Sequence, residues 1–221
     1  IQEFSSQKVH HTINNFVVSG ASKRGWTTWL SNAIDDKRVK AIGPMVIDML
    51  NMPKTLSYQL ETYGEYSIQI EDYVKLGIPQ GSDTPDGKAI TTMVDPYSYR
   101  DKMTIPKIIF IGTNDEYWTA DAIKHYYDKI PGKNLIHYVP NAGHDLGGGK
   151  QALEALSAFF GLTLQDKEYP VCTWNVVKGN GPCNKQRLAA RNKAHDEGAW
   201  VRGAALAYSE KRKNKLNHKA A

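Results

Sequence analysis

Short apolar runs punctuate the chain and are set apart by polar and helix-prone stretches. Residues 13–19, 39–47, 106–112 and 135–139 each carry such a run. Apolar runs of about 5–8 residues that alternate with helical stretches predict strands of a parallel sheet covered on both faces. Residues 23–35, 118–129 and 149–160 have helical spacing and lie between and after these strands. Strands alternating with helices predict an α/β fold with helices on both faces of the sheet.

Residues 51–104 break the rhythm. The segment is long and rich in tyrosine, with Tyr58, Tyr63, Tyr66, Tyr73, Tyr97 and Tyr99. Leu56, Leu60, Tyr63 and Ile70 fall at near-helical spacing, which predicts one to three helices with 77–87 as a loop. Inserted between two strands, such a segment is expected to lie as a cap above the strand ends. Its tyrosines serve either as helix-packing surface or as the wall of a substrate pocket.

The chemistry-bearing residues follow the strands. Ser22 sits in Val18-Ser19-Gly20-Ala21-Ser22-Lys23-Arg24-Gly25-Trp26, where an apolar run meets small residues and then a helix-prone stretch. A serine hydroxyl becomes a useful nucleophile when a sharp strand-to-helix turn exposes it and a histidine takes its proton. The usual elbow is G-x-S-x-G; here it reads G-x-S-x-x-G, with Arg24 in place of the second glycine. A helix N-cap is the alternative role for Ser22. The strand 106–112 delivers Thr113-Asn114-Asp115-Glu116, and the strand 135–139 delivers Asn141-Ala142-Gly143-His144-Asp145. The chain order Ser22, Asp115, His144 is that of α/β-hydrolases. His144 would take the serine proton and return it to the leaving group, and Asp115 would orient the imidazole. Asp115 could instead cap a helix starting near Tyr117, and His144 could be an exposed turn residue. Asp48, Glu116 and Asp145 are the rival acids. The backbone N–H of Lys23, next after the nucleophile, would supply one oxyanion-hole donor. Arg24, Trp26, Tyr117 and Trp118 flank the motifs and are the candidates for substrate contact; the Arg24 fork suits a carboxylate.

These three motifs together resemble the PhoPQ-activated pathogenicity-related proteins. The likeness is carried by Val18–Leu30, by Gly112-Thr113-Asn114-Asp115-Glu116-Tyr117-Trp118 and by Asn141-Ala142-Gly143-His144-Asp145-Leu146, and runs from residue 1 to about 180. The resemblance implies an α/β-hydrolase fold with a serine triad acting on esters or peptides. It also implies an exported protein. A secreted, non-enzymatic signalling protein on a hydrolase scaffold is the second reading. In the hydrolase strand order four strands precede the nucleophile strand. The chain is therefore expected to supply only the C-terminal half of such a domain over 1–161, with Phe16-Val17-Val18 as an open apolar edge prone to pairing with other chains.

Composition changes this picture only at the end of the chain. Of 221 residues 41% are hydrophobic, as in an ordinary globular protein. The formal charge of +5 is uneven. Residues 162–221 hold 12 Lys/Arg against 5 Asp/Glu, and the rest hold 16 against 18. The catalytic part is thus nearly neutral, and the basic tail lacks the aromatic interleaving of a single-strand nucleic-acid binder. No nucleic-acid partner, metal ion or organic cofactor is expected, nor is a membrane span, for want of a run of about 18 apolar residues. Residues 169–177 alternate like a strand and open a β-rich region over 162–181, whereas 182–221 read as a basic, Ala-rich tail foreign to the rest. Cys172 and Cys183 could close one short loop or remain free thiols.

Overall fold

A computed structural model describes residues 2–34 and 36–170. The expectations for 171–221, including both cysteines, the strand over 169–177 beyond its first two residues, and the basic tail, lie outside the described residues.

The chain begins with a short helix α1 (Gln2–Phe4) and a π-helical turn, then runs through β1 (Phe16–Ala21), α2 (Lys23–Ala33) and β2 (Val39–Met45). Next come α3 (Met52–Tyr63), α4 (Glu71–Lys75) and α5 (Pro85–Val94), followed by β3 (Lys107–Gly112), β4 (Asn134–Val139) and α6 (Lys150–Leu164). The four strands form one parallel sheet in the order β1-β2-β3-β4. Every residue of β3 is buried, as expected of the apolar run Ile108–Ile111, and so is Lys107 at its start.

Alternate residues of β3 feed two cores. Ile109 and Ile111 join Trp29 of α2, with Leu56 and Ile70 of the 51–104 segment, on one face. Ile108 and Phe110 join Ala152 and Phe159 of α6 on the other. The α2 helix turns Gly25, Thr28, Trp29 and Asn32 inward, a stripe of one face at helical spacing. Trp29 is fully buried and meets Tyr126 edge-on, with ring centroids 6.2 Å apart. Lys107, at the N-terminal end of β3, is fully buried and has no counter-ion among the described residues. Its Nζ donates to Met103 O, Pro131 O and Asn134 Oδ1 at 2.8, 2.8 and 2.9 Å. Burial pulls its pKa down to about 7, while three carbonyl acceptors match the three N–H bonds of the ammonium form.

Three expectations are corrected. Residues 118–129 form two 3₁₀ turns, Ala122–His125 and Tyr127–Lys129, rather than one helix. Their N–H groups reach three residues back, and the Ile123 N–H also meets the buried Asp48 carboxylate at 3.1 Å. That side-chain acceptor competes with the α-helical ladder. The loop expected over 77–87 ends earlier, because Thr84 accepts the Gly87 N–H and Pro85 opens α5. In α3 the buried face is Thr55, Leu56, Tyr58 and Gln59, while Leu60 and Tyr63 of the expected stripe are exposed. Polar side chains can line the inner face because they are bonded there: Thr55 donates to Leu50 O and Gln59 Nε2 to Tyr117 O.

Candidate active site

The site lies where the C-terminal ends of β1, β3 and β4 release their loops. The turn between β1 and α2 is tight. Ser22 has φ 54° and ψ −122°, and no hydrogen bond from its side chain caps α2. Its backbone N–H donates to Met45 O at 2.9 Å, and its carbonyl accepts the Trp26 N–H at 3.0 Å. A non-glycine residue in such a conformation stores strain and needs surroundings that hold it. The shifted glycine spacing has a packing cause. A Cβ on Gly20 would come within 2.6 Å of Arg24 O, and one on Gly25 within 2.9 Å of Met45 O. The second small residue is needed where α2 crosses the end of β2, and that crossing falls at position 25. Lys23 is the first residue of α2, so its N–H belongs to the unpaired first turn beside Ser22.

The loops after β3 and β4 are stitched to one another. Asn114 N–H donates to Ala142 O at 2.9 Å, Asn141 N–H to Thr113 Oγ1 at 2.7 Å, and Asn114 Nδ2 to Asn141 Oδ1 at 2.9 Å. This brings Asp115 against His144. The imidazole Nδ1 lies 3.0 Å from Asp115 Oδ2 and 3.2 Å from Oδ1. The Asp115 side chain is almost fully buried, and the same Oδ1 accepts the Tyr117 N–H at 2.8 Å. The helix near Tyr117 that Asp115 could have capped does not form, and the carboxylate serves a bend there while facing the imidazole. Tyr117 packs its ring on the imidazole, with centroids 4.1 Å apart. His144 Nε2 is shielded from solvent and makes no hydrogen bond among the described residues. With Nδ1 against a carboxylate, Nε2 is the nitrogen that can take a proton.

The rival acids have other occupations. Asp48 is buried and bonded to Ile123 N–H. Burial pushes its carboxyl up to about 8, against the pull of the Tyr126 hydroxyl and the Ile123 N–H. Asp145 accepts the Gly147 N–H, and Glu116 accepts the His144 backbone N–H at 3.0 Å. Of the residues expected to meet substrate, Trp118 is a core residue at 6% exposure, packed with Ile111 and Ile123, and is corrected to a structural role. Trp26 gives its indole N–H to Val94 O at 2.7 Å, tying α2 to the end of α5. Arg24 is exposed, its guanidinium without a bonding partner among the described residues, and Tyr117 reaches the site through His144.

Sequence reasoning missed Gln59. It is fully buried, donates to Tyr117 O and accepts the Ser67 N–H, so it pins the 51–104 segment to the acid loop. Its polar character in the inner stripe of α3 was the available signal. Beside it an open cleft of about 600 Å³ is lined by Tyr63, Tyr66, Ser67 and Ile68 with Asp115 and Glu116. Among the described residues no three His, Cys, Asp or Glu side chains are grouped to hold a metal, and no helix is long and apolar enough to cross a membrane.

Comparison with known proteins bears on the fold and the family. Over 181 residues the chain is 34% identical to autocrine proliferation repressor protein A of Dictyostelium discoideum, a match covering 80% of this chain and 36% of that one. Similar solved structures include an acetyl xylan esterase from Paenibacillus sp. R4 and an acylaminoacyl peptidase from Pyrococcus horikoshii. Each is 14% identical with a TM-score of 0.54. They align with 73% and 77% of this chain, and with 49% and 27% of their own. The chain therefore spans about a third of the curated relative and at most half of these structures. At such identities the likeness speaks for the fold alone, an α/β-hydrolase fold. The model of the PhoPQ-activated pathogenicity-related protein family matches residues 1–200, and the chain belongs to that family.

Proposed function

We propose that this chain carries the nucleophile, acid and base of a serine hydrolase acting on ester or peptide bonds. The reading rests on one observation above the others: Asp115 holds His144 Nδ1 at 3.0 Å, while a serine strained at φ 54° follows β1 at the same end of the parallel sheet. Ser22 Oγ attacks the scissile carbonyl while His144 Nε2 takes its proton. The tetrahedral oxyanion is met by the Lys23 N–H. His144 then protonates the leaving alcohol or amine, and water repeats the cycle on the acyl-serine. His144 Nε2 has no hydrogen-bond partner among the described residues, which leaves it available to the Ser22 proton. The 51–104 helices cap the site, and its tyrosine-lined cleft offers apolar wall with polar tips. Chemistry of this kind needs neither metal nor organic cofactor. Export follows from the family relative, whose name declares an autocrine protein.

That same name supports the second reading, a secreted signal that keeps the scaffold without turnover. Hydrolysis of aryl esters and short peptides by the protein, with Ser22→Ala and His144→Ala beside it, separates the two. Loss of about 10⁴–10⁶ in kcat in each variant is expected. Wild-type turnover equal to that of Ser22→Ala would favour the signalling protein.

A further inference from the structure

The geometry points to Glu116 as a positioning residue that holds the base loop through the backbone of His144. This rests on the hydrolase reading above. The carboxylate Oε2 accepts the His144 N–H at 3.0 Å, across 28 residues of sequence. Its place is kept open by glycine, since a Cβ on Gly143 would lie 2.9 Å from the same oxygen. Glu116 follows directly on Asp115. One dipeptide therefore grips His144 twice, Asp115 by the imidazole and Glu116 by the main chain.

The grip has consequences for the reaction. The loop after β4 is rich in left-handed backbone, with positive φ at Asn141, Leu146, Gly147, Gly148 and Gly149. Without an anchor, rotation about the His144 backbone would swing Nε2 relative to Ser22. A carboxylate accepting a backbone N–H is a charge-assisted bond, stronger than a neutral one. Glu116 is itself held by the 51–104 segment, because Ser67 Oγ donates to Glu116 O at 2.6 Å. Ser67 N–H in turn bonds Gln59 Oε1 at 3.0 Å. The chain of contacts runs from α3 through Ser67 and Glu116 to the base.

The test uses Glu116→Ala and Glu116→Gln in the full chain. Glutamine keeps an oxygen acceptor at the same reach; alanine removes it. Glu116→Ala should lower kcat by about 10–100-fold with KM within about twofold, the scale expected of a displacement near 1 Å. Glu116→Gln should restore most of kcat and melt near wild type, and Glu116→Ala should melt only a few degrees lower, because the lost bond is exposed. Amide hydrogen exchange gives a readout that needs no activity. The His144 N–H should exchange at least about tenfold faster in Glu116→Ala and near the wild-type rate in Glu116→Gln. Unchanged exchange at His144 in Glu116→Ala overturns the proposal, as does a loss of kcat that Glu116→Gln fails to restore. Absence of turnover in wild type counts against the hydrolase reading alone and leaves amide exchange to decide the role of Glu116.

Discussion

Gly112 closes β3 at the point where the acid and base loops touch. A Cβ placed there would sit 2.4 Å from Gly143 O and 2.5 Å from Ala142 O. Ordinary contact starts near 3.4 Å, so Gly112→Ala forces a retreat of about 1 Å. Both obstacles are backbone carbonyls and cannot rotate aside as a side chain could. Ala142 O also accepts the Asn114 N–H at 2.9 Å, a bond that such a retreat breaks. Overpacking costs about 1–3 kcal/mol, and the lost hydrogen bond adds about 0.5–1.5 kcal/mol. Together these lower the melting temperature by roughly 5–15 °C for a domain of this size. Gly143 precedes His144, so the same shift opens the 3.0 Å contact to Asp115 and should lower kcat by about 10²-fold. Circular-dichroism melting and ester hydrolysis measure the two effects. Gly161→Ala is the control, since a Cβ there meets nothing within 4 Å and alanine favours the α6 helix. A Gly112→Ala protein that melts and turns over as wild type would refute the reasoning.

Asp48→Asn should flatten the pH dependence of stability. The folded carboxyl is raised to about 8, so its contribution is full below the unfolded value near 3.8 and is lost as pH rises through 8. Melting curves of the variant and wild type should diverge over that window, the variant being the more stable at pH 8; parallel curves would show that Asp48 is ionised in the fold. Lys107→Met strands three carbonyl acceptors and should destabilise by about 2–4 kcal/mol in urea unfolding. It should also remove the rise in stability between about pH 7 and 10.5 that a depressed lysine pKa produces, since the unfolded chain binds the extra proton there. Asp115→Asn should cost about 10⁴ in ester hydrolysis by leaving His144 in the wrong tautomer, whereas Asp48→Asn should cost little; the reverse order would move the acid to β2.

The parts of the fold legible in sequence were those fixed by unbroken apolar runs. Ile108-Ile109-Phe110-Ile111 could only be a strand buried on both faces, and so it is. Part of the candidate site was legible too, in the polar residues that directly follow β3 and β4. Asp115 and His144 meet although 29 residues separate them. The misreadings came where side chains override periodicity. Residues 118–130 keep helical spacing in Trp118, Ala122, Tyr126 and Ile130, all buried, yet the segment is drawn into 3₁₀ turns with Asp48 bonded to its backbone. Trp118 sits beside the motif in sequence but points into the core, a choice that adjacency cannot reveal. The displaced elbow glycine looked like a departure from the motif; the crossing of α2 over Met45 explains it, and that crossing is a tertiary fact.

Covalent labelling by a fluorophosphonate, with the adduct located by mass spectrometry, bears most directly on whether Ser22 is an activated nucleophile. The account predicts a single adduct on Ser22, absent in Ser22→Ala and strongly slowed in His144→Ala and Asp115→Asn. An unlabelled wild-type protein, or an adduct on another serine that survives Ser22→Ala, would contradict it.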